Sequence, residues 1–355
     1  MADVRPFRAV RYARPDVSQT APPYDVIDDS AGAELRARDP HNVVHLTLEP
    51  DAEAAGERFR SWLADGVLVR DEAPAVWWLE QDFVGPDGVA RSRAGVVASL
   101  RAEPYESGAV LPHERTHPGP IEGRLALLRA TRAQLEPIFL LYDGSPPLAR
   151  PDTRPPELEV EGTRLWRIDG DSGVESFFDD VQLLIADGHH RYETAVAFAR
   201  EDGADRLLAV LVATSDPGLE IFPTHRVFAG RPDIDPAGES FASVGAAIDA
   251  LEAARPDEAA VVFVRGSQAR LVRGADDELD VELVDRFGHD GLSYTPDREE
   301  ALGRLASDDD CAFLLRPLRV DDVFARARAG RTMPQKATYF FPKLLSGLLI
   351  HPVDP

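Results

Sequence analysis

The chain has a single cysteine, Cys311, so no intramolecular disulfide can staple it. In the apolar run CAFLLRP this thiol is expected to be buried and inert. No stretch approaches the roughly 18 consecutive apolar residues of a membrane span, and the N-terminus, MADVRPFRAV, lacks the apolar centre of a signal peptide. A cytoplasmic location is therefore expected, with no membrane partner. Basic blocks are missing too. The formal net charge is −23, and nothing in the sequence resembles the clustered Lys and Arg that displace counterions from phosphates, so nucleic acid is not an expected partner. The acidic excess names no ligand, because it serves solubility equally well. Lysine itself is nearly absent. Of 39 Lys plus Arg, Lys336 and Lys343 alone are lysines, and both lie in TMPQKATYFFPKLLSG. Codon bias is the plain explanation; the sharper one is a need for a compact, rotatable ammonium beside a phosphate or carboxylate, where a planar guanidinium fits badly.

What remains is an ordinary globular composition, 44% apolar over 355 residues, enough for a large core. Periodicity predicts a mixed α+β fold. PDAEAAGERFRSWLADG carries Phe59, Trp62 and Leu63 at helical spacing and stops at Gly66, while AVWWLEQDFV and RAGVVASLRAE read as a hairpin across Gly-Pro-Asp-Gly. APPYDVID reads as an ordered loop. Further on come a helix in EGRLALLRATRA, strands in PIFLLYD and VQLLIAD, a helix over 189–200 and a strand in LLAVLVATSD; the proline-rich GSPPLARPDTRPPE is the candidate exposed linker. Beyond it are a helix over about 240–253, strands in AAVVFVRG, ARLVRG and AFLLRP, and helices around REEALGRLA and DDVFARARAG. Three regions are expected: 1–100, 101–230 carrying DGHHR, and 231–355 carrying MPQKATYFFPK.

The unusual stretch is LLIADGHHRYETAVAFAR. A strand ending in Asp187-Gly188 and turning into a helix leaves unpaired N–H groups and the positive end of the helix dipole, which attract anions. His189, His190 and Arg191 add donors there. Gly188 allows close approach of a nucleotide's phosphates, and Asp187, read as an exposed strand-end carboxylate, could hold Mg²⁺ or accept a proton. Two other readings stand beside this one. Asp187 could simply cap the helix; or a histidine-ligated metal could be present, which would need His113 or His225, since adjacent helical histidines diverge by about 100°. Three more polar islands follow: LPHERTHPGP with His113, Glu114, Arg115 and His117; IFPTHRVF with His225 and Arg226; and the two-lysine segment.

These islands, with VRPFRAVRY, APPYDVI and PIFLLYDG, resemble the bacterial and archaeal family known as domain of unknown function 1015, over nearly the whole chain. Ala337 stands where that family is expected to have serine. DGHHR in turn resembles the phosphate-binding signature of the ParB and sulfiredoxin superfamily, and 101–230 is similar to its free serine kinases. That resemblance implies a ParB/sulfiredoxin-like core and a Mg²⁺-dependent phosphotransferase acting on free serine or a similar small hydroxy compound with ATP or ADP. Glu114 falls at the carboxylate that activates the hydroxyl. Asp187 takes the strand-end acid position, and His189, His190 and Arg191 the phosphate-contacting ones, with Asp187 and His190 expected as catalytic groups. Beyond that resemblance, Gly188, Thr194, Lys336 and Lys343 are expected at the nucleotide, the lysines from composition, and His113, Arg115, His225 and Arg226 at the substrate. The alternatives are a non-catalytic nucleotide-binding regulator of ParB-like fold, and a phosphatase or metal-dependent hydrolase acting on a small phosphorylated metabolite. Oligomeric state is left open.

Overall fold

The structure is a computed structural model, and it describes residues 1–114, 118–151, 153–170, 172–276 and 278–353, the side chains of 118–120 excepted. Mixed α and β structure runs throughout. The chain divides into two compact units: Met1–Phe83, Ala90–Leu219 and Pro342–Pro355 form one, Val84–Val89 and Glu220–Phe341 the other. The MPQKATYFFPK segment is split between them.

The first unit is built on a long mixed sheet. Its central order is Val110–Leu111, Leu183–Asp187, Ile138–Tyr142, Arg206–Ala213, Ala90–Arg101, Val76–Val84, Thr163–Ile168, Leu158–Val160. Ile138–Tyr142 and Arg206–Ala213 run parallel, whereas Leu183–Asp187 runs antiparallel to Ile138–Tyr142. Strands buried on both faces read as continuous apolar runs, which is why IFLLY and LLAVLVA were legible as strands. Alternate residues, among them Val96, Ala98, Leu140, Ile185, Leu207 and Leu211, make the main core.

Helices Ala52–Ala64, Pro118–Thr131 and His189–Asp202 accompany this sheet. Asp51 caps the first by accepting the Glu53 amide at 3.0 Å, and Phe59 and Trp62 are buried as their spacing predicted. Leu125 and Leu128 meet Phe198 where the other two helices pack. APPYDVID contains a short 3₁₀ turn, Tyr24–Val26, and Asp29–Arg38 is a helix whose sequence carries no apolar stripe to announce it.

The second unit holds an antiparallel six-stranded sheet in the order Glu239–Phe241, Gln268–Asp276, Glu258–Arg265, Cys311–Leu314, His225–Phe228, Leu292–Thr295. Residues 239–241, expected to start a helix, are an edge strand, and the helix is Val244–Glu252, capped by Ser243. Cys311 is fully buried there, as expected.

Candidate functional site

In the first unit the sheet presents Asp187 at the end of a strand whose pairing is irregular. Ile185 faces Leu140 and Asp187 faces Phe139, so a bulge absorbs Ala186 and re-aims the last residue of the strand. Gly188 follows with φ +100°, a left-handed conformation that side chains resist, and the helix His189–Asp202 begins. A Cβ on Gly188 would lie 3.1–3.2 Å from the guanidinium of Arg191. Glycine is therefore needed twice here, for the turn and for the arginine that folds beneath it.

Asp187 does not cap the helix. Gly188 occupies the N-cap position, and it has no side chain with which to cap the helix. The carboxylate is also not exposed: one oxygen takes the Lys343 ammonium, and the other accepts from Arg191 Nη2 at 2.5 Å, with 15% of its side chain exposed. Arg191 donates as well to the Pro137 carbonyl. Burial alone would push the Asp187 carboxyl up, but Lys343 and Arg191 outweigh it and hold the group well below the usual carboxylate range. Asp187 is thus an anchored anion, unsuited to accepting a proton.

The histidines are held differently. His113 is completely buried, and its Nδ1–H donates to the Ile185 carbonyl at 2.6 Å. Its backbone N–H donates to His189 Nε2 at 3.3 Å, and the two rings meet edge to face at 4.7 Å. Because Nε2 of His189 accepts, its Nδ1 carries the proton. Burial pushes the His113 imidazole down to about 4 and His189 well below its ordinary value. Both are neutral at pH 7, so His189 adds no positive charge to that of Arg191 and the helix dipole. Glu114, adjoining His113 in the chain, has its Cα about 3.8 Å from that of His113, which brings it to the same corner.

Some expected contacts are already engaged. Thr194 gives its hydroxyl to the His190 carbonyl at 2.7 Å, one turn back in the helix, and is buried. Thr194, Arg191, Arg124 and Glu136 line a neighbouring pocket. Arg115 and His117 lie outside the described residues. His225, Arg226 and Lys336 fall in the second unit, where they form a cluster of their own: His225 Nδ1 accepts the Leu315 amide at 3.1 Å, and Arg226 donates to the Lys336 carbonyl at 3.2 Å. Lys336 has φ +59°, unusual for a residue with a side chain.

No group of three or more His, Cys, Asp or Glu suited to a metal occurs among the described residues. A divalent cation bound to Asp187 would have to displace Lys343 or Arg191. The carboxylate therefore does not fit as a metal ligand in this arrangement, contrary to the expectation for Mg²⁺.

Sequence reasoning missed the residues behind this site. Arg93, fully buried, stacks over Phe139, and Glu136 accepts from the Tyr24 amide, the Ser346 hydroxyl and Arg124. Arg124 in turn lies 3.7 Å above the Tyr24 ring. The available signal was a charge flanked by Leu135 and Pro137 at the mouth of an apolar strand. APPYDVI thus reaches the DGHHR region through Tyr24 and Glu136.

The sequence profile of the family described as Protein of unknown function (DUF1015) matches residues 4–288. The chain belongs to that family. The match includes PHERT, DGHHR and PTHRVF and ends before MPQKATYFFPK. No curated protein matches the chain. Among solved structures it is similar to SbnI with C-terminal truncation from Staphylococcus aureus, at 14% identity and TM-score 0.41, over 72% of this chain and 87% of that one. It is also similar to a free serine kinase in complex with AMP, at 17% identity and TM-score 0.40, over 65% and 83%. A conserved hypothetical protein from Pyrococcus furiosus matches at 17% identity and TM-score 0.36, over 65% and 87%. Among the described residues, no helix is long and apolar enough to cross a membrane.

Proposed function

We propose that this chain is a nucleotide-dependent phosphotransferase that moves a phosphoryl group from ADP or ATP to free serine or a similar small hydroxy compound. The observation that carries this reading is the convergence of Lys343 and Arg191 on Asp187 at a helix N-terminus with glycine at its N-cap, beside the His113–Glu114 loop. Two cations on one carboxylate, with the dipole behind them, leave an excess of positive charge for a phosphate.

In this reading Glu114 accepts the proton of the attacking hydroxyl as the new O–P bond forms. The bond between the transferred phosphorus and the nucleotide's leaving oxygen breaks, and the N-terminal amides, with neutral His189 as donor and His190 beside them, offset the charge that develops. Asp187 acts by holding Lys343 and Arg191. His113 acts by fixing the tautomer of His189 rather than by touching the acceptor. A divalent cation would be held by the nucleotide's own phosphates, where it would offset their charge, rather than by Asp187, whose two oxygens hold Lys343 and Arg191.

The test is a mass-spectrometric assay for phosphoserine with serine and either nucleotide, run on the native chain and on Glu114→Gln, with nucleotide binding followed by calorimetry. Product from the native chain, its loss in Glu114→Gln and retained nucleotide binding are expected. Binding without product from the native chain would leave a nucleotide-binding regulator, and neither binding nor product would overturn the reading altogether.

A further inference from the structure

Arg93 lies in the strand Ala90–Arg101 and its side chain is completely buried. Its Nη2 donates to Gln81 Oε1 at 2.6 Å and to the Pro342 carbonyl at 2.8 Å, and its guanidinium carbon sits 4.5 Å from the centre of the Phe139 ring. Phe139 is the cross-strand partner of Asp187, and Pro342 immediately precedes Lys343. One guanidinium therefore touches the neighbours of both members of the Lys343–Asp187 pair. A buried guanidinium is costly to desolvate, and an apolar side chain of similar volume would avoid that cost, so what the position retains is directional hydrogen bonding.

We infer that Arg93 is the positioning residue for Lys343. The pyrrolidine ring fixes φ of Pro342, so a hydrogen bond that pins its carbonyl also fixes ψ, and with it the direction in which the chain enters Lys343. Gln81 holds the guanidinium at the angle that reaches this carbonyl. Phe139 supports the guanidinium from the strand that faces Asp187. The ammonium thus meets the carboxylate through a set path rather than by the free search of a four-carbon side chain.

The scarcity of lysine makes this directly measurable. Brief acetylation of the native full-length chain with acetic anhydride, followed by peptide mass spectrometry, reads Lys343 against exposed Lys336 in the same molecule. In Arg93→Met the Lys343 to Lys336 labelling ratio should rise about tenfold, the scale of one lost charge-assisted hydrogen bond. Arg93→Lys, which keeps charge but not the planar fork, should lie between. Exposed Lys336 corrects for reagent dose, and general loosening of the fold is read separately by hydrogen exchange of the strands Leu158–Val160 and Thr163–Ile168, which should stay as in the native chain. An unchanged ratio in folded Arg93→Met overturns the inference. If that variant does not fold, Gln81→Leu decides in the same way, since it frees the guanidinium without removing it.

The consequence for ligand binding rests on the proposed function. Arg93→Met should weaken ADP binding in the native background and have no further effect in Lys343→Ala, whereas losses that multiply would show that Arg93 does not act through Lys343. Failure of the native chain to bind ADP would count against the function alone, because the labelling ratio decides the positioning role without nucleotide.

Discussion

Lys343 places its ammonium on the carboxylate of Asp187 across 156 positions of sequence, with Arg191 on the other oxygen at 2.5 Å. The carboxylate is thus the hub of the site, and its removal should be felt in stability as well as binding. Asp187→Asn leaves two buried cations without their counterion, at a cost of about 3–5 kcal/mol in urea unfolding at pH 7. The sign with pH follows from the depressed carboxyl: its stabilisation is present above the unfolded value, 3.8, and is lost as pH falls below it. The gap between native and variant should therefore shrink below about pH 4. Equal stabilities at pH 7 would contradict the ion pairs.

The buried histidines predict a second, distinct pH dependence. His113 is pushed down to about 4 from 6.5, so the unfolded chain binds protons first between those values, and stability falls as pH drops through this window. Each such histidine contributes at most about 1.4 kcal/mol per pH unit. His113→Asn can still donate to Ile185 O but cannot titrate. Its unfolding free energy should fall less steeply between pH 6.5 and 4 than that of the native chain, and parallel slopes would show that His113 is not buried neutral.

Gly188→Ala combines a disfavoured φ with a contact against Arg191. A loss of about 1–3 kcal/mol is expected. Thermal unfolding measures it, and calorimetry with ADP should show weaker binding because the displaced guanidinium releases Asp187. A variant as stable as the native chain would mean that the turn at 188 relaxes freely.

Lys343→Arg keeps the charge but brings a second planar fork to a carboxylate already holding Arg191. ADP binding should weaken by about tenfold, and turnover with it, because a guanidinium cannot reproduce the compact ammonium geometry. Lys336→Arg, made in parallel, tests the other retained lysine. Two arginine variants that bind and turn over like the native chain would return the lysine pattern to codon bias.

Much of the scaffold was legible because its signals are local. The turn at Gly-Pro-Asp-Gly, the strand VQLLIAD and the helix that follows Gly188 each announce themselves within a dozen residues, by apolar periodicity or by a residue that changes the backbone's options. Asp29–Arg38 escaped because it has no apolar stripe, and the strands Leu158–Val160 and Thr163–Ile168 are short and follow a proline-rich stretch. The motif DGHHR marked the strand-to-helix turn, and the two lysines marked a segment of which Lys343 reaches Asp187.

By itself the sequence determined the mixed α+β composition, the strand-to-helix turn at Asp187-Gly188 and the residue types that can meet a phosphate. Tertiary structure decided what those residues do. It turned Asp187 from an exposed acid into an anchored anion, made His113 and His189 neutral, and tied Arg93 to the carbonyl before Lys343. Each of these follows from burial and from partners drawn from distant strands, and neither is encoded in spacing: a protonation state depends on what surrounds a group in space, and periodicity reports only which face of its own element a residue occupies.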